Sequence, residues 1–275
     1  MKSTLRAAAR HVALDVLSAV EATGWGTRAL EKPRVHNLYL HETPGREEAA
    51  FRALLSWLVS TGHHLIPYGE GVRRCMDDDI DRPYVTFSFD DGYASNTRAA
   101  AVLEEFGTTG CFFVVTDFIG KTELAPAREF LGAGITEPAM SWADLHAIRT
   151  AGHEIGNHTR SHRNLATLPP EAAAEEIVSG RDRLVKEFGA VDHFAWPLGR
   201  WHHFTEGAKE VALSHHMSVA SAERGAHQPR GGDVDDLCVR RDHVMTSWPL
   251  RHSSHFIRAS ARQMGSSGWP PALQS

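Results

Sequence analysis

Strand-like and helix-like segments alternate about seven times along this 275-residue chain. One strand-like run, Cys111-Phe112-Phe113-Val114-Val115, is apolar throughout, and no linker of domain-boundary type interrupts the middle. These observations predict an α/β fold in one barrel-like domain with a parallel sheet. Parallel strands are joined by crossover helices that cover the sheet faces, so they read as continuous apolar runs rather than as an alternation.

The elements follow in order. Residues 1–33 read as an amphipathic helical extension, with Gly24 and Gly26 in the loop that follows the helix. Residues 34–40 alternate apolar and polar side chains and form the first strand, with His41 and Glu42 at its end. Residues 46–60 are helical, since Phe51, Leu54, Leu55 and Leu58 share one face. Residues 64–66 make a short strand. Residues 69–83 are charged, carry Asp77, Asp78, Asp79 and Asp81, and read as a solvated loop. A β-rich run then ends on Phe89-Asp90-Asp91-Gly92.

Residues 94–106 form a helix with Ala99, Val102, Leu103 and Phe106 inward, and the apolar run at 111–115 is the next strand. Residues 116–140 hold several Gly and Pro residues and are expected to be a long loop. Ser141-Trp142-Ala143-Asp144 resembles a capping box that opens a helix to Thr150. A strand at 152–157, a helix from Pro169-Pro170 to Phe188, and a strand at 193–196 follow. Residues 206–214 are helical, 217–220 and 237–244 strand-like, and 248–264 a closing helix. The catalytic domain is thus expected at 34–264, with a flexible tail at 265–275.

Composition excludes several function classes. An apolar share of 42% and a charged share of 23% are those of an ordinary globular protein. A net charge of −5 argues against a nucleic-acid partner, which calls for a basic face. No stretch approaches the ~18 apolar residues of a membrane span, and no glycine-rich phosphate loop follows a strand. The three cysteines are not spaced as a zinc clip or a disulfide framework, which fits a reducing compartment. Residues 12–20 form a short apolar run broken by Asp15, without a small-residue cleavage site, so a cytoplasmic location is expected.

Two adjacent carboxylates at a strand end, Asp90 and Asp91, are the chemical anomaly. Neighbouring strand residues point to opposite faces, but Gly92 can take backbone angles that re-aim what precedes it. Two carboxylates facing one cavity repel unless a cation sits beside them. The partners for such a cation are His158 and His162 in Asn157-His158-Thr159-Arg160-Ser161-His162, where a helix-like turn would put both imidazoles on one side. One carboxylate and two imidazoles make a three-ligand metal site with room for water. We read Asp91 as the ligand and Asp90 as the general base. The residues therefore point to metal-assisted hydrolysis, with a backbone amide at the Gly92–Tyr93 turn available to an oxyanion.

These two motifs resemble those of the polysaccharide deacetylase family, also called the NodB-homology family or carbohydrate esterase family 4. Thr86-Phe87-Ser88-Phe89-Asp90-Asp91-Gly92 is similar to its Thr-Phe-Asp-Asp-Gly motif, and His158-Thr159-Arg160-Ser161-His162 matches its His-Ser/Thr-Xaa-Xaa-His motif in full. The resemblance spans residues 34–245. It implies a distorted (β/α)7-type barrel and a hydrolase that removes N-acetyl groups from an N-acetylhexosamine-containing glycan or glycan precursor. In that reaction metal-bound water attacks the acetamide, with Asp90 as base and Asp91, His158 and His162 on the metal. Zn²⁺ suits these ligands, as do Co²⁺, Ni²⁺ and Mn²⁺.

The later motifs depart from the family's pattern. Phe194-Ala195-Trp196-Pro197-Leu198-Gly199 stands where many members carry Arg-Pro-Pro-Tyr-Gly, so no arginine is at hand there to orient the base. Arg240 or Arg241 is expected to do so from another strand, with Arg241 preferred. Trp196 and Pro197 are expected to line the groove, and the Leu198 amide and Tyr93 to serve the oxyanion or substrate. The general acid is assigned to His243, with His252 and His255 as alternatives. An amidase acting on a non-sugar amide, or a catalytically weak carbohydrate-binding relative, would share the scaffold.

Overall fold

The computed structural model describes residues 30–234, 236–262, 268–270 and 272–273, together with Leu14. The helix expected before residue 30 lies outside the described residues, Leu14 excepted, as does most of the tail expected from residue 265. No described helix is long and apolar enough to cross a membrane.

Among the described residues nine strands share one sheet: β1 (Arg34–Leu40), β2 (His64–Leu65), β3 (Pro83–Asp91), β4 (Cys111–Val114), β5 (Glu154–Asn157), β6 (His193–Ala195), β7 (Ser218–Ala220), β8 (Cys238–Val239) and β9 (Asp242–His243). Every pairing between these strands is parallel. The hydrogen-bonded order is β8-β7-β6-β5-β4-β3-β1-β9, with β2 beside β3. The two ends of that order are consecutive in sequence. Cys238–Val239 pairs with β7, and Asp242–His243, only two residues later, pairs with β1. One stretch thus serves both edges of a curled sheet and brings them together as a distorted (β/α)7-type barrel. The expected single strand over 237–244 is therefore two short ones, with Arg240 and Arg241 at the crossing.

The helices are α1 (Glu48–Ser60), α2 (Tyr68–Met76), α3 (Asn96–Glu105), α4 (Leu124–Leu131), α5 (Trp142–Thr150), α6 (Pro170–Phe188), α7 (Glu206–His215) and α8 (Leu250–Arg262). The Ser141–Asp144 capping box that starts α5 is present in both directions. Two expected loops contain helices. Within 116–140, α4 forms with Pro126 in its first turn, where a missing N–H is tolerated, and with Gly132 as its C-cap. Within 69–83, α2 forms because Tyr68, Val72 and Cys75 make a buried stripe at helical spacing, which two glycines and three charges obscure in the sequence. A Cβ on Gly71 would lie 2.3 Å from Thr86 Cγ2, so only glycine allows α2 this close to the sheet.

Side-chain alternation along the strands divides the core. Phe87, Phe89 and Phe112 face outward into the layer between sheet and helices. Val35, Cys111, Phe113, Ala195, Ala220 and Val239 pack with Tyr68 and Val72 of α2, which fills the N-terminal end of the barrel. With that end plugged by apolar side chains, polar groups gather at the other, where the strands' C-termini open. Of the acidic run, Asp78 accepts from the amides of Arg230, Gly231 and Gly232, and Asp79 pairs with Arg74. It is structural rather than a cation site.

Candidate active site

β3 delivers the two carboxylates. Ser88 and Asp90 point to one face by strand alternation, and Asp91 ought to point away. It does not, because Asp91 itself takes φ +74° and Gly92 φ +97°, turning the second carboxylate back toward the first. Left-handed backbone at a non-glycine residue is sparsely populated and costs of order 1–3 kcal/mol. Thr159, His162 and Leu198 share this feature at φ +67°, +61° and +65°. All four residues carry or flank candidate site groups.

His158 and His162 follow β5 in an irregular loop, not on a helical turn. The loop's own bends bring their ring centroids to 5.2 Å. The loop is tied down from several sides. Asn157 Oδ1 accepts from the Thr159 amide, and Thr159 Oγ1 accepts from the His162 amide. The buried Glu176 carboxylate of α6 accepts from the Ser161 amide and hydroxyl. Gly180 lets α6 approach, since a Cβ there would lie 2.7 Å from the Thr159 carbonyl carbon. Glu176 and Gly180 left no signal of this in the sequence, where they read only as helix residues.

The loop presents His158 Nε2 and His162 Nε2 at 3.4 and 3.2 Å from Asp91 Oδ1. His158 Nδ1 lies 2.7 Å from the Ala195 carbonyl, which can only accept, so Nδ1 carries the proton and Nε2 keeps its lone pair. Asp91 Oδ1 is buried and makes no hydrogen bond among the described residues. A buried, unsatisfied carboxylate oxygen between two imidazoles fits a cation at that point. It is also the one group of metal-ligating side chains within bonding reach of a common ion among the described residues. Burial pushes the Asp91 pKa up, but His158 and His162 outweigh it and hold the carboxyl well below its usual range.

Asp90 is held differently. Arg241, fully buried, donates from Nη1 to Asp90 Oδ1 at 2.7 Å and from Nη2 to Oδ2 at 2.9 Å. Its remaining donors reach Ser88 Oγ and the Ser221 carbonyl, and its plane lies over the Tyr39 ring at 4.6 Å. Burial would raise the Asp90 pKa, but Arg241 prevails and keeps it lowered. Arg240, the other arginine considered, turns away to Trp201 and the Gly268 carbonyl. The sheet crossing at 240–241 is what sends these neighbours to opposite sides.

A cavity of about 120 Å³ lies over these groups, lined by Asp90, Asp91, His158 and His162 with His41, Trp196 and Leu198 among others. Pro197, Tyr93 and His243 are not part of that lining. His243 stands behind His41, its Nε2 3.2 Å from His41 Nδ1. Burial pushes the His243 pKa down to about 4. His252 and His255 sit on α8, away from the cavity lining. Trp196 is fully buried and stacks on Phe204. Within the span expected to be a flexible tail, Trp269 lies against Trp196 and donates to the Asp236 carbonyl.

A family model described as polysaccharide deacetylase matches residues 77–218, just over half of the chain and both motifs that carry the cavity's carboxylates and imidazoles. The chain belongs to the polysaccharide deacetylase family. Membership makes it a hydrolase of carbon–nitrogen bonds other than peptide bonds and supports deacetylation of glycans. The fold of this deacetylase is similar to that of IcaB from Ammonifex degensii, with 21% identity, a TM-score of 0.66, and 84% of this chain and 98% of that one covered. It is also similar to the Streptococcus pyogenes deacetylase PplD in complex with acetate, at 16% identity and a TM-score of 0.63 over 81% and 97% of the two chains. A de-N-acetylase from Aggregatibacter actinomycetemcomitans matches at 15% identity and 0.63, over 81% and 99%.

Proposed function

We propose that this deacetylase is a metal-dependent enzyme that removes acetyl groups from N-acetylhexosamine residues of a glycan. The observation that carries the reading is the unsatisfied Asp91 oxygen between two imidazoles, set beside a second carboxylate that an arginine keeps ionised. Asp91, His158 and His162 would hold the ion, and one carboxylate with two imidazoles suits Zn²⁺ but also Co²⁺, Ni²⁺ or Mn²⁺. Such an ion supplies Lewis acidity to the acetamide and lowers the pKa of water.

Asp90 is the base. Its two oxygens rest on Arg241, which keeps it charged at neutral pH and fixes its direction, so it can take the proton of the attacking water. The Leu198 amide, set at the cavity by its left-handed backbone, is our candidate donor to the developing oxyanion. For the departing amine we assign the proton to His41 in place of the His243 first considered. His41 lines the cavity, and a neutral His243 accepting from His41 Nδ1 lets Nε2 carry the second proton toward the substrate. PplD, of similar fold, is described in complex with acetate, the product this reaction releases.

The test is acetate release from N-acetylated hexosamine oligosaccharides by metal-loaded protein. Chelator should abolish release and added divalent metal restore it. Metal-loaded protein that frees no acetate from any N-acetylated sugar would remove this reading.

A further inference from the structure

Ser221, Ala222 and Glu223 follow β7 and stand between two parts of the site. On one side their backbone serves the base. The Ser221 carbonyl accepts from Arg241 Nε at 2.9 Å, and the Glu223 carbonyl accepts from the Arg241 amide at 3.0 Å. On the other side they serve the turn that follows β6. The Ala222 amide donates to the Gly199 carbonyl at 2.8 Å. The Glu223 carboxylate accepts from the Trp201 amide at 3.3 Å through Oε1 and from Arg200 Nη1 at 3.2 Å through Oε2. A Cβ on Gly199 would lie 2.3 Å from Ala222 Cβ, so the turn sits as close to this segment as glycine allows.

Left to itself this turn would not keep its shape. Leu198 and Gly199 are both left-handed, at φ +65° and +64°, a region a leucine seldom occupies. Packing of its own side chain does not keep Leu198 there, because that residue is 50% exposed. Leu198, Gly199 and Ala222 all line the cavity over Asp90 and Asp91, and among the described residues the Leu198 amide finds no acceptor. The start of the turn is fixed by packing, through Trp196 on Phe204. Its far limb is fixed by the hydrogen bonds to Ala222 and Glu223. Of these ties, the carboxylate can be removed without touching the backbone that holds Arg241.

We propose, building on the deacetylase reading above, that Glu223 is a positioning residue for the oxyanion: its carboxylate holds the 198–201 turn so that the Leu198 amide stays presented to the developing charge. Glu223 itself touches neither the substrate nor the metal ligands. One three-residue segment thereby sets the oxyanion donor and the base separately, the donor through a side chain and the base through backbone carbonyls. Without the carboxylate the turn relaxes toward ordinary backbone angles. The stabilisation lost is one made only in the transition state, so kcat falls while KM does not rise.

The test compares Glu223→Ala and Glu223→Gln with the wild type, with acetate release counted per metal-loaded site so that partial unfolding is not read as lost turnover. Substrates are an N-acetylhexosamine oligosaccharide and a small aryl acetate ester. Glu223→Ala should lower kcat by about tenfold, short of the roughly 10²–10³ that loss of a whole oxyanion donor costs, with KM within about twofold of the parent. The factor should be similar for amide and ester, since both pass through a tetrahedral oxyanion. Metal content and the acid limb of the pH–kcat/KM profile should not move, because the Arg241–Asp90 pair keeps its carbonyl supports. A methylphosphonamidate of the amino sugar, with tetrahedral phosphorus in place of the acetamide carbon, should bind about tenfold more weakly to Glu223→Ala, whereas acetate should bind as before. Glu223→Gln, whose side-chain oxygen still accepts from the Trp201 amide, should recover most of the turnover. An unchanged kcat in Glu223→Ala, a glutamine variant no better than the alanine one, a shifted acid limb, or equal weakening of phosphonamidate and acetate would each overturn the assignment. Metal-loaded wild type that frees no acetate from sugar or ester would instead overturn the deacetylase reading, and the role of Glu223 with it.

Discussion

Histidines collect at both ends of the barrel, and the two ends use them in opposite ways. At the N-terminal ends of the strands sit His36 and His63, near β1 and β2, with His227 bridged to Val35, and His216 before β7. All four are buried, and burial pushes each pKa down: to about 4 for His63 and His216, to about 3 for His227, and well below its usual value for His36. Neither ring nitrogen of His36 finds a partner among the described residues. These are neutral packing groups. At the C-terminal ends, His158 and His162 converge on a carboxylate, and burial of His162 is outweighed by Asp91, which raises its pKa. A histidine count therefore marks nothing. What marks the site is two imidazoles meeting one buried carboxylate oxygen, whereas at the other end a single imidazole, His193, reaches Glu154 at 3.0 Å.

The largest expected effect lies at the C-terminal end. Asp90→Asn keeps the shape and one of the two Arg241 hydrogen bonds but removes the base, and turnover should fall by about 10²–10⁴. Metal content, measured on the same sample, should be unchanged, because Asp91, His158 and His162 remain. His162→Ala should do the reverse, with metal affinity falling sharply and activity following it. Equal metal loss in both variants would show that the division of labour between the two aspartates is wrong.

Arg241→Gln comes next, because the guanidinium acts through Asp90. Burial of Asp90 is presently overcome by Arg241, so without the arginine the carboxyl pKa should rise. A base with a raised pKa is ionised only at higher pH, so the acid limb of the pH–kcat/KM profile should move upward. Breaking a buried pair also costs about 3–5 kcal/mol of stability, which a denaturant titration would read. Lost stability with an unmoved acid limb would leave Arg241 a purely structural residue. Smaller again is the contrast between the paired histidines. His41→Ala should slow amide hydrolysis by about 10²-fold or more, yet slow an aryl ester, whose leaving group needs no proton, far less. His243→Ala should cost less than His41→Ala.

The sequence made the two strand-end motifs legible because their chemistry is local: adjacent carboxylates before a glycine, and two histidines four residues apart. It also placed most strands, whose apolar runs are a consequence of burial on both faces. What stayed hidden depends on tertiary closure. Arg241 was expected to orient Asp90, but the reason it does so was not: Cys238–Val239 and Asp242–His243 pair with opposite sheet edges, and no pattern within 237–244 announces a crossing. The turn of Asp91 was expected of Gly92 alone, but both residues are left-handed. The loop of His158 and His162 is held by Glu176 and Gly180 on a helix whose apolar stripe gives no hint of that duty. α2 escaped notice because local propensity, with two glycines and several charges, points away from helix while its buried stripe decides for it.

The smallest effect should come from the N-terminal end, and it should touch stability alone. His63, His216 and His227 have folded pKa values below the usual 6.5, so the unfolded chain binds protons that the folded chain refuses. The sign follows: their neutral burial costs nothing in protonation above about pH 6.5, and stability drains away as pH falls from there toward about 4. For His63 alone the depression from 6.5 to about 4 corresponds to a loss on the order of 3 kcal/mol at the acid end. Asp242, raised to about 6 by burial, works the other way, since its folded form favours the proton and so offsets part of the loss in the same window. These three histidines, with His36 lowered in the same sense, outweigh one carboxyl and leave a net acid destabilisation. His63→Gln, which keeps a polar group but cannot titrate, should flatten the fall in melting temperature between pH 6.5 and 4, lower it somewhat at pH 7.5, and leave kcat/KM at neutral pH within about twofold of the parent. A change in the metal affinity of His63→Gln would mean that the two ends of the barrel are coupled, and that its histidines do not divide into packing groups and ligands.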